Sequence, residues 1–369
     1  MKRIGILLLA GLLAASCVHN GSNELKMNID KALKRPVKCA ELYAKADVIP
    51  LRVPEGFRAG QGETLLEVAA DRFFLLNQEK DAILVFDGAG GYVTAIRSAE
   101  PVIDFSPYQD RALAVLTEHA ITEYAIGDGS FLGSYQIQSN GIDLRCVSRL
   151  NENEIYMLGS RDGDAYYCSY FIDRKQFGSE KFPAIMSPVF PASEVQDSRY
   201  FHDGQRCLCF LSRSGVAFAY DAALSLGWPA LIPDFGKEEM RFTNVQKTGD
   251  RFYYAFERDG ESGVVVCNPK TRKYQALRKT EEGTAFPLGV VHAGSNYYCC
   301  PAARLPEFLP DAPGDGEAGL VIIRYALLAS DLAVLHDSGR YKEKEHTVYE
   351  KSDVEDLLCG TADSGAERM

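Results

Sequence analysis

What the 369-residue chain lacks narrows its class first. Helical periodicity is nearly absent between residues 45 and 335, which argues against a helical bundle or an α/β sheet. No run of Lys and Arg interrupts a formal charge of −11, and a nucleic-acid binder needs a basic face, so that class is excluded. The sequence has no GxSxG elbow, HExxH pair or P-loop, so none of the common catalytic signatures applies. Tryptophan occurs once, as Trp228. Ten cysteines are present, but Cys207 and Cys209 have neither a second pair nor suitably spaced histidines to complete a zinc site. The six histidines, His19, His119, His202, His292, His336 and His346, are dispersed: His19 and His346 lie near the termini, and His119, His202 and His292 fall in separate repeats.

The N-terminus, MKRIGILLLAGLLAASC, has a basic start at Lys2 and Arg3, an apolar run from Ile4 to Leu13, and small residues before Cys17. The run is too short for a spanning helix and reads as a processed signal. The small residues followed by cysteine resemble a bacterial lipobox, which implies lipidation of Cys17 and a membrane anchor through the N-terminal lipid. Cleavage there removes Lys2 and Arg3 and takes the formal charge from −11 to −13. Val18 in place of Asp implies the outer membrane, and the absence of an acidic cluster in VHNGSNE implies a periplasmic-facing orientation. Without Cys17, nine cysteines remain, an odd number that leaves at least one free thiol or an intermolecular bond. Most lie in apolar strand-like runs and are expected to pack as small hydrophobes.

One motif recurs through the rest of the chain. VFDGAGGYVTAI from Val85 is an apolar strand end, a polar turn and a returning strand. Equivalent strand ends are Phe86, Tyr124, Phe171, Tyr220, Cys267 and Tyr325, spaced by 38, 47, 49, 47 and 58 residues. Each is preceded by an aromatic-rich strand opening on a polar turn, such as DRFFLLN and DRFYYAFE, and before that by a third apolar segment. This is a four-stranded meander with the period of a propeller blade. A sandwich would need roughly 100 residues per domain and would show no six-fold echo. The expected fold is therefore all-β, a six-bladed β-propeller with four-stranded blades. ADVIPLRV, residues 46–53, is expected to close the ring as the outermost strand of the last blade. The organisation reads as 1–16 signal peptide, 17–44 tether, 45–337 propeller and 338–369 charged tail.

KADVIPLRVPEG, DRFFLLNQEKDAILVFDGAGGYVTAI and the lipobox together resemble the six-bladed β-propeller lipoproteins, relatives of the NHL-repeat type. The resemblance is strongest in the first blade and implies fold and address more than chemistry. The Gly-rich GxGPGE stretch of that family is replaced here by RSAEPVIDF, which keeps only Glu100-Pro101.

In a propeller the innermost strands line the central channel. Strand alternation makes Glu67, Asp104, Arg145, Asp197 and Asn244 the channel-lining candidates. Glu67, Asp104, Asp197 and Asn244 are also an oxygen set suited to Ca²⁺, with Arg145 on the same ring opposing it. That arrangement is similar to the metal-dependent lactonase branch of six-bladed propellers. Two readings follow: a binding or scaffolding module for a protein or small ligand, and a divalent-metal-dependent hydrolase or lyase working in the channel. Two insertions are further candidates. Pro301 to Leu320 interrupts the last blade, and Ile185, Met186, Val189 and Phe190 form an apolar patch between prolines. Cys17→Ala is expected to abolish incorporation of labelled palmitate and to move the protein from the membrane to the soluble fraction. Retention of label would remove the anchor.

Overall fold

Two-residue turns with both residues in the left-handed region join successive strands within the repeats. Ala70-Asp71 (φ 47° and 55°), Asp259-Gly260 (56° and 76°) and Ala293-Gly294 (46° and 73°) join strand pairs whose right-handed twist such turns match. The computed structural model describes residues 24–58, 65–149, 151–181, 192–195, 198–202, 207–221, 226–235, 240–312, 319–328 and 336–337. The described strands form six antiparallel meanders, and the innermost strands neighbour one another around a closed ring. The protein is a six-bladed β-propeller.

The innermost strands of blades 1 to 6 are Leu66–Ala69, Asp104–Tyr108, Asp143–Arg149, Arg199–His202, Arg241–Thr248 and Val290–His292. All six strand-end residues read from the repeat, from Phe86 to Tyr325, fall in the third strand of successive blades. Faces of neighbouring blades form the core. Phe74, Leu76, Ile83 and Val85 of blade 1 pack against Phe105, Leu113 and Val115 of blade 2. Tyr253, Val264 and Val266 of blade 5 meet Val291, Val321 and Ile323 of blade 6. Both faces of these strands are covered, which is why they read as near-continuous apolar runs.

Blade 6 takes its fourth strand from the other end of the chain. Tyr43–Leu51 pairs antiparallel with Leu320–Leu327, placing Ile49 opposite Ile322 and Leu51 opposite Leu320. The Arg324 guanidinium meets the Asp47 carboxylate at 2.7 Å. The GAGG turn of blade 1 is shaped by this strand. Arg52 N donates to Gly90 O at 3.0 Å, and a Cβ on Gly90 (φ 83°) would lie 2.1 Å from the Pro50 carbonyl oxygen. Only glycine fits there.

Residues 24–44, expected as a tether, belong to the propeller instead. Strand β1 (Glu24–Lys26) pairs in parallel with Leu226–Asp234, the outer strand of blade 4. Helix α1 (Ile29–Leu33) is capped by Asn28, whose Oδ1 accepts from Lys31 N at 2.8 Å, and Arg258 of blade 5 pairs with Asp30. Asn28 N donates to the Tyr274 hydroxyl of blade 5 at 2.8 Å, and Glu281 N donates to Val37 O at 2.7 Å. Helix α2 (Cys39–Leu42) then leads into the closing strand. Leu25, Met27, Ile29, Ala32, Val37 and Leu42 are buried along this path. The pattern was unreadable as a strap because its apolar residues follow neither a helical nor a strand period.

The segment therefore crosses blades 4, 5 and 6 before closing the ring. His336–Asp337 adds a short strand to the outside of blade 5. Blades 1 and 2 end on the edge strands Tyr92–Arg97 and Phe131–Gln136, where Phe131 and Leu132 are the most exposed large apolar residues described. The unit 339–369 lies outside the described residues.

The insertion in blade 6 is anchored too. A 3₁₀ turn at Ala302–Arg304 runs into helix α3 (Leu305–Phe308), which buries Leu305 and Phe308 in the core between blades 5 and 6. Ala285 N donates to Glu307 O at 3.1 Å and holds it there. The first half of this loop is thus a plug rather than a free docking arm. Ile185, Met186, Val189 and Phe190 lie outside the described residues.

Removing residues 17–51 takes away the closing strand and leaves the backbone groups of Leu320–Leu327 unpaired on one side. Thermal unfolding followed by far-ultraviolet circular dichroism is expected to lose its cooperative transition. A truncated chain that melts within 5 °C of the mature protein would show the strand to be dispensable.

Candidate functional site in the central channel

The inner strands of a propeller diverge outward, so neighbouring blades cannot hydrogen-bond as one sheet and side chains must bridge them. Asp104 does so between blades 2 and 3: its Oδ2 accepts from Val147 N at 2.8 Å. Asn244 does so between blades 5 and 6: its Nδ2 donates to Gly289 O at 2.7 Å and Leu288 O at 3.2 Å. Gln246 completes that clasp, donating to Asn244 Oδ1 at 3.0 Å and accepting from Val291 N at 3.0 Å. Nearer the rim of blades 2 and 3, the Arg149 guanidinium pairs with the buried Glu123 carboxylate, which also accepts from the Tyr135 hydroxyl at 2.9 Å.

Of the residues expected to line the channel, Asp104 and Asn244 are therefore engaged in joining blades. Arg145 is the extra residue of a β-bulge between Leu144 and Cys146, exposed and paired with Asp143. The bulge shifts the alternation by one residue, and no single-strand pattern reveals that. Asp197 lies outside the described residues, and the inner strand of blade 4 begins two residues later, at Arg199.

Glu67 lines a cavity of about 330 Å³ that runs from the channel toward blades 5 and 6. Arg199, which the sequence pattern did not single out, lines the same cavity, together with Asn244, Leu288, Tyr297 and Phe308. Glu67 comes from blade 1 and Arg199 from blade 4, three blades away around the ring. The two side chains act on each other electrostatically, yet neither makes a hydrogen bond or an ion pair within 4.0 Å among the described residues. At the outer end of the cavity the charges are paired instead: Arg304 with Glu307 at 2.8 Å, and Arg278 with Glu261.

The electrostatics follow from this enclosure. Glu67 is half-exposed because the channel lets solvent reach it, but protein surrounds it on all sides. Burial raises its carboxyl well above the ordinary range, the nearby Asp104 charge raises it further, and Arg199 opposes both. Asp104, 6% exposed, is pushed up to about 6 by burial, with Arg199 and the backbone donors of Val147 and Phe105 opposing the shift. The buried thiols Cys168 and Cys300 are held protonated. Burial drives Cys168 up to about 12 and Cys300 up to about 11, and Cys207 donates to the Ser148 hydroxyl at 3.1 Å. Among the described residues no group of three or more His, Cys, Asp or Glu is arranged to hold a metal ion.

No family model matches the chain, and no curated protein is detectably similar to it in sequence. Solved structures do match in fold. A protein of Bacteroides fragilis NCTC 9343 described as exported is 11% identical, with a TM-score of 0.60 over 83% of this chain and 99% of its own. A member of the DUF4221 family from Bacteroides vulgatus ATCC 8482 is 12% identical, with a TM-score of 0.50 over 78% of this chain and 97% of its own. The likeness is one of fold. At such identities it extends to no side chain of the channel.

Asp104 sets a pH dependence whose sign is opposite to that of a salt-bridged carboxylate. Because its folded value of about 6 lies above the unfolded 3.8, the folded state holds a proton that the unfolded state releases. Its contribution to stability is highest below pH 4 and falls by about 3 kcal/mol as pH rises through 6. Asp104→Asn keeps an acceptor for Val147 N and removes that penalty. Urea melts are expected to show the variant gaining about 2–3 kcal/mol on wild type between pH 4 and pH 7.5. A difference that stays flat with pH would refute the assignment.

Proposed function

We propose that this chain is a lipid-anchored propeller of the cell envelope, on the periplasmic face of the outer membrane, which binds a ligand in its central channel. The observation that carries this reading is the pair Glu67 and Arg199: two chemically capable groups that line one cavity and have no hydrogen-bond or ion-pair partner among the described residues. Arg199 is exposed, while Glu67 is partly buried; a partly buried carboxyl without a partner is costly, and a ligand that satisfies it recovers that cost. Asn244, Gln246, Arg278, Arg304 and Glu307 in the same wall already have partners, which supports recognition over an assembled set of catalytic partners. Membrane anchoring comes from the lipobox at Cys17, and the exported description of the Bacteroides fragilis fold neighbour agrees with an envelope address.

The metal-dependent hydrolase reading draws on a different observation, the proximity of the Glu67 and Asp104 carboxyls. Ca²⁺ bound there would polarise a carbonyl oxygen. The two readings separate in one experiment. Melting temperatures are measured with free amino acids, sugars, nucleotides, organic acids and CaCl₂ at millimolar concentration. Binding predicts that at least one organic class raises the melting temperature of the wild type and not of Arg199→Ala. A rise with CaCl₂ alone, lost in Glu67→Gln and accompanied by lactone hydrolysis, would replace it with the enzyme. No shift from any addition would overturn the channel as a site.

A further inference from the structure

The opposed charges specify the ligand class, an inference that rests on the channel being a binding site. We propose that the cavity takes a small zwitterion of the amino-acid type, its carboxylate on Arg199, its ammonium on Glu67 and its apolar side chain toward blades 5 and 6.

Three features support this. First, Arg199 presents a planar fork of donors with no protein acceptor among the described residues, and a carboxylate is the planar anion that fits it bidentately. Second, Glu67 stands across the channel from it without contact. A ligand bearing one charge would satisfy one wall and leave the other unpaired, whereas a zwitterion satisfies both. Third, the rest of the cavity wall includes Leu66, Leu288, Tyr297 and Phe308, which suits an aliphatic or aromatic side chain. At about 330 Å³ the cavity lies at the small end of ligand pockets, which favours a single residue over a long peptide. Asp104 and Arg199 are the charged groups that act on Glu67.

This geometry couples binding to a proton. An ammonium beside Glu67 favours its ionised form, so the ligand displaces a proton that enclosure otherwise holds on the carboxyl. Affinity for a zwitterion therefore rises with pH as Glu67 ionises, whereas affinity for a simple carboxylate falls.

The test is isothermal titration of the mature chain with L-leucine and L-phenylalanine, each against its deaminated acid and its amide, at pH 6 and pH 8. At least one amino acid is expected to bind ten-fold or more tightly than both of its single-charge analogues, and more tightly at pH 8. Arg199→Lys, which keeps charge but loses the fork, and Glu67→Gln are each expected to weaken it ten-fold or more while the protein still melts cooperatively. If Glu67→Gln fails to fold, proton release by the wild type, read from buffers of different ionisation enthalpy, decides the role of Glu67. A deaminated acid that binds as tightly as its parent, or an affinity that falls with pH, would overturn the zwitterion while leaving the channel as an anion site. If neither amino acid binds but another class protects through Arg199, the ligand class is wrong and the channel reading stands. If nothing binds, both fall.

Discussion

The antiparallel pairing of Tyr43–Leu51 with Leu320–Leu327 is the constraint on which the rest of the structure depends. A propeller is held as a ring by the packing of each blade on two neighbours, so the first and last blades must meet. Supplying the last blade's outer strand from the beginning of the chain makes that meeting a ladder of backbone hydrogen bonds rather than a contact of faces alone. The Gly90 turn shows how tightly blade 1 sits against this strand, since its backbone approaches Pro50 closer than any side chain would permit. The strap before it, from Glu24 to Leu42, extends the same closure over the outer faces of blades 4 and 5.

Closure also accounts for the polar groups at the centre. Once six inner strands stand around one axis, each junction between blades leaves unpaired backbone donors and acceptors. Asp104, Asn244 and Gln246 satisfy some of these directly. These residues look like a functional ring in the sequence, yet their chemistry is consumed by holding the ring together. Glu67 and Arg199 differ because no junction engages them. The channel thus separates polar residues that build the scaffold from two that make no hydrogen bond or ion pair among the described residues.

Local rules carried the reading of the fold a long way. Apolar runs of strand length, polar turns between them and six echoes of one hairpin required a propeller, and the strand character of residues 46–53 required a closing strand. Each of these is a property of short stretches, which sequence records directly. Glu67 was legible on the same basis, as the polar residue in an otherwise apolar inner strand. The bulge at Arg145 and its pairing with Asp143 were not legible, because a register shift between paired strands leaves no mark on either strand alone. Residues 24–44 were misread as a tether because a strap that packs on three different blades has no period of its own.

The sequence by itself determined the repeat, the number of blades and the order of strands within each, because these rest on local periodicity. Only the tertiary structure decided which polar side chains stay unengaged. Arg199 follows Asp197 and Ser198, and nothing local marks it above them. It shares a cavity with Glu67 because two blades intervene on each side around a closed ring, a relation between residues 132 positions apart that only closure of the ring creates.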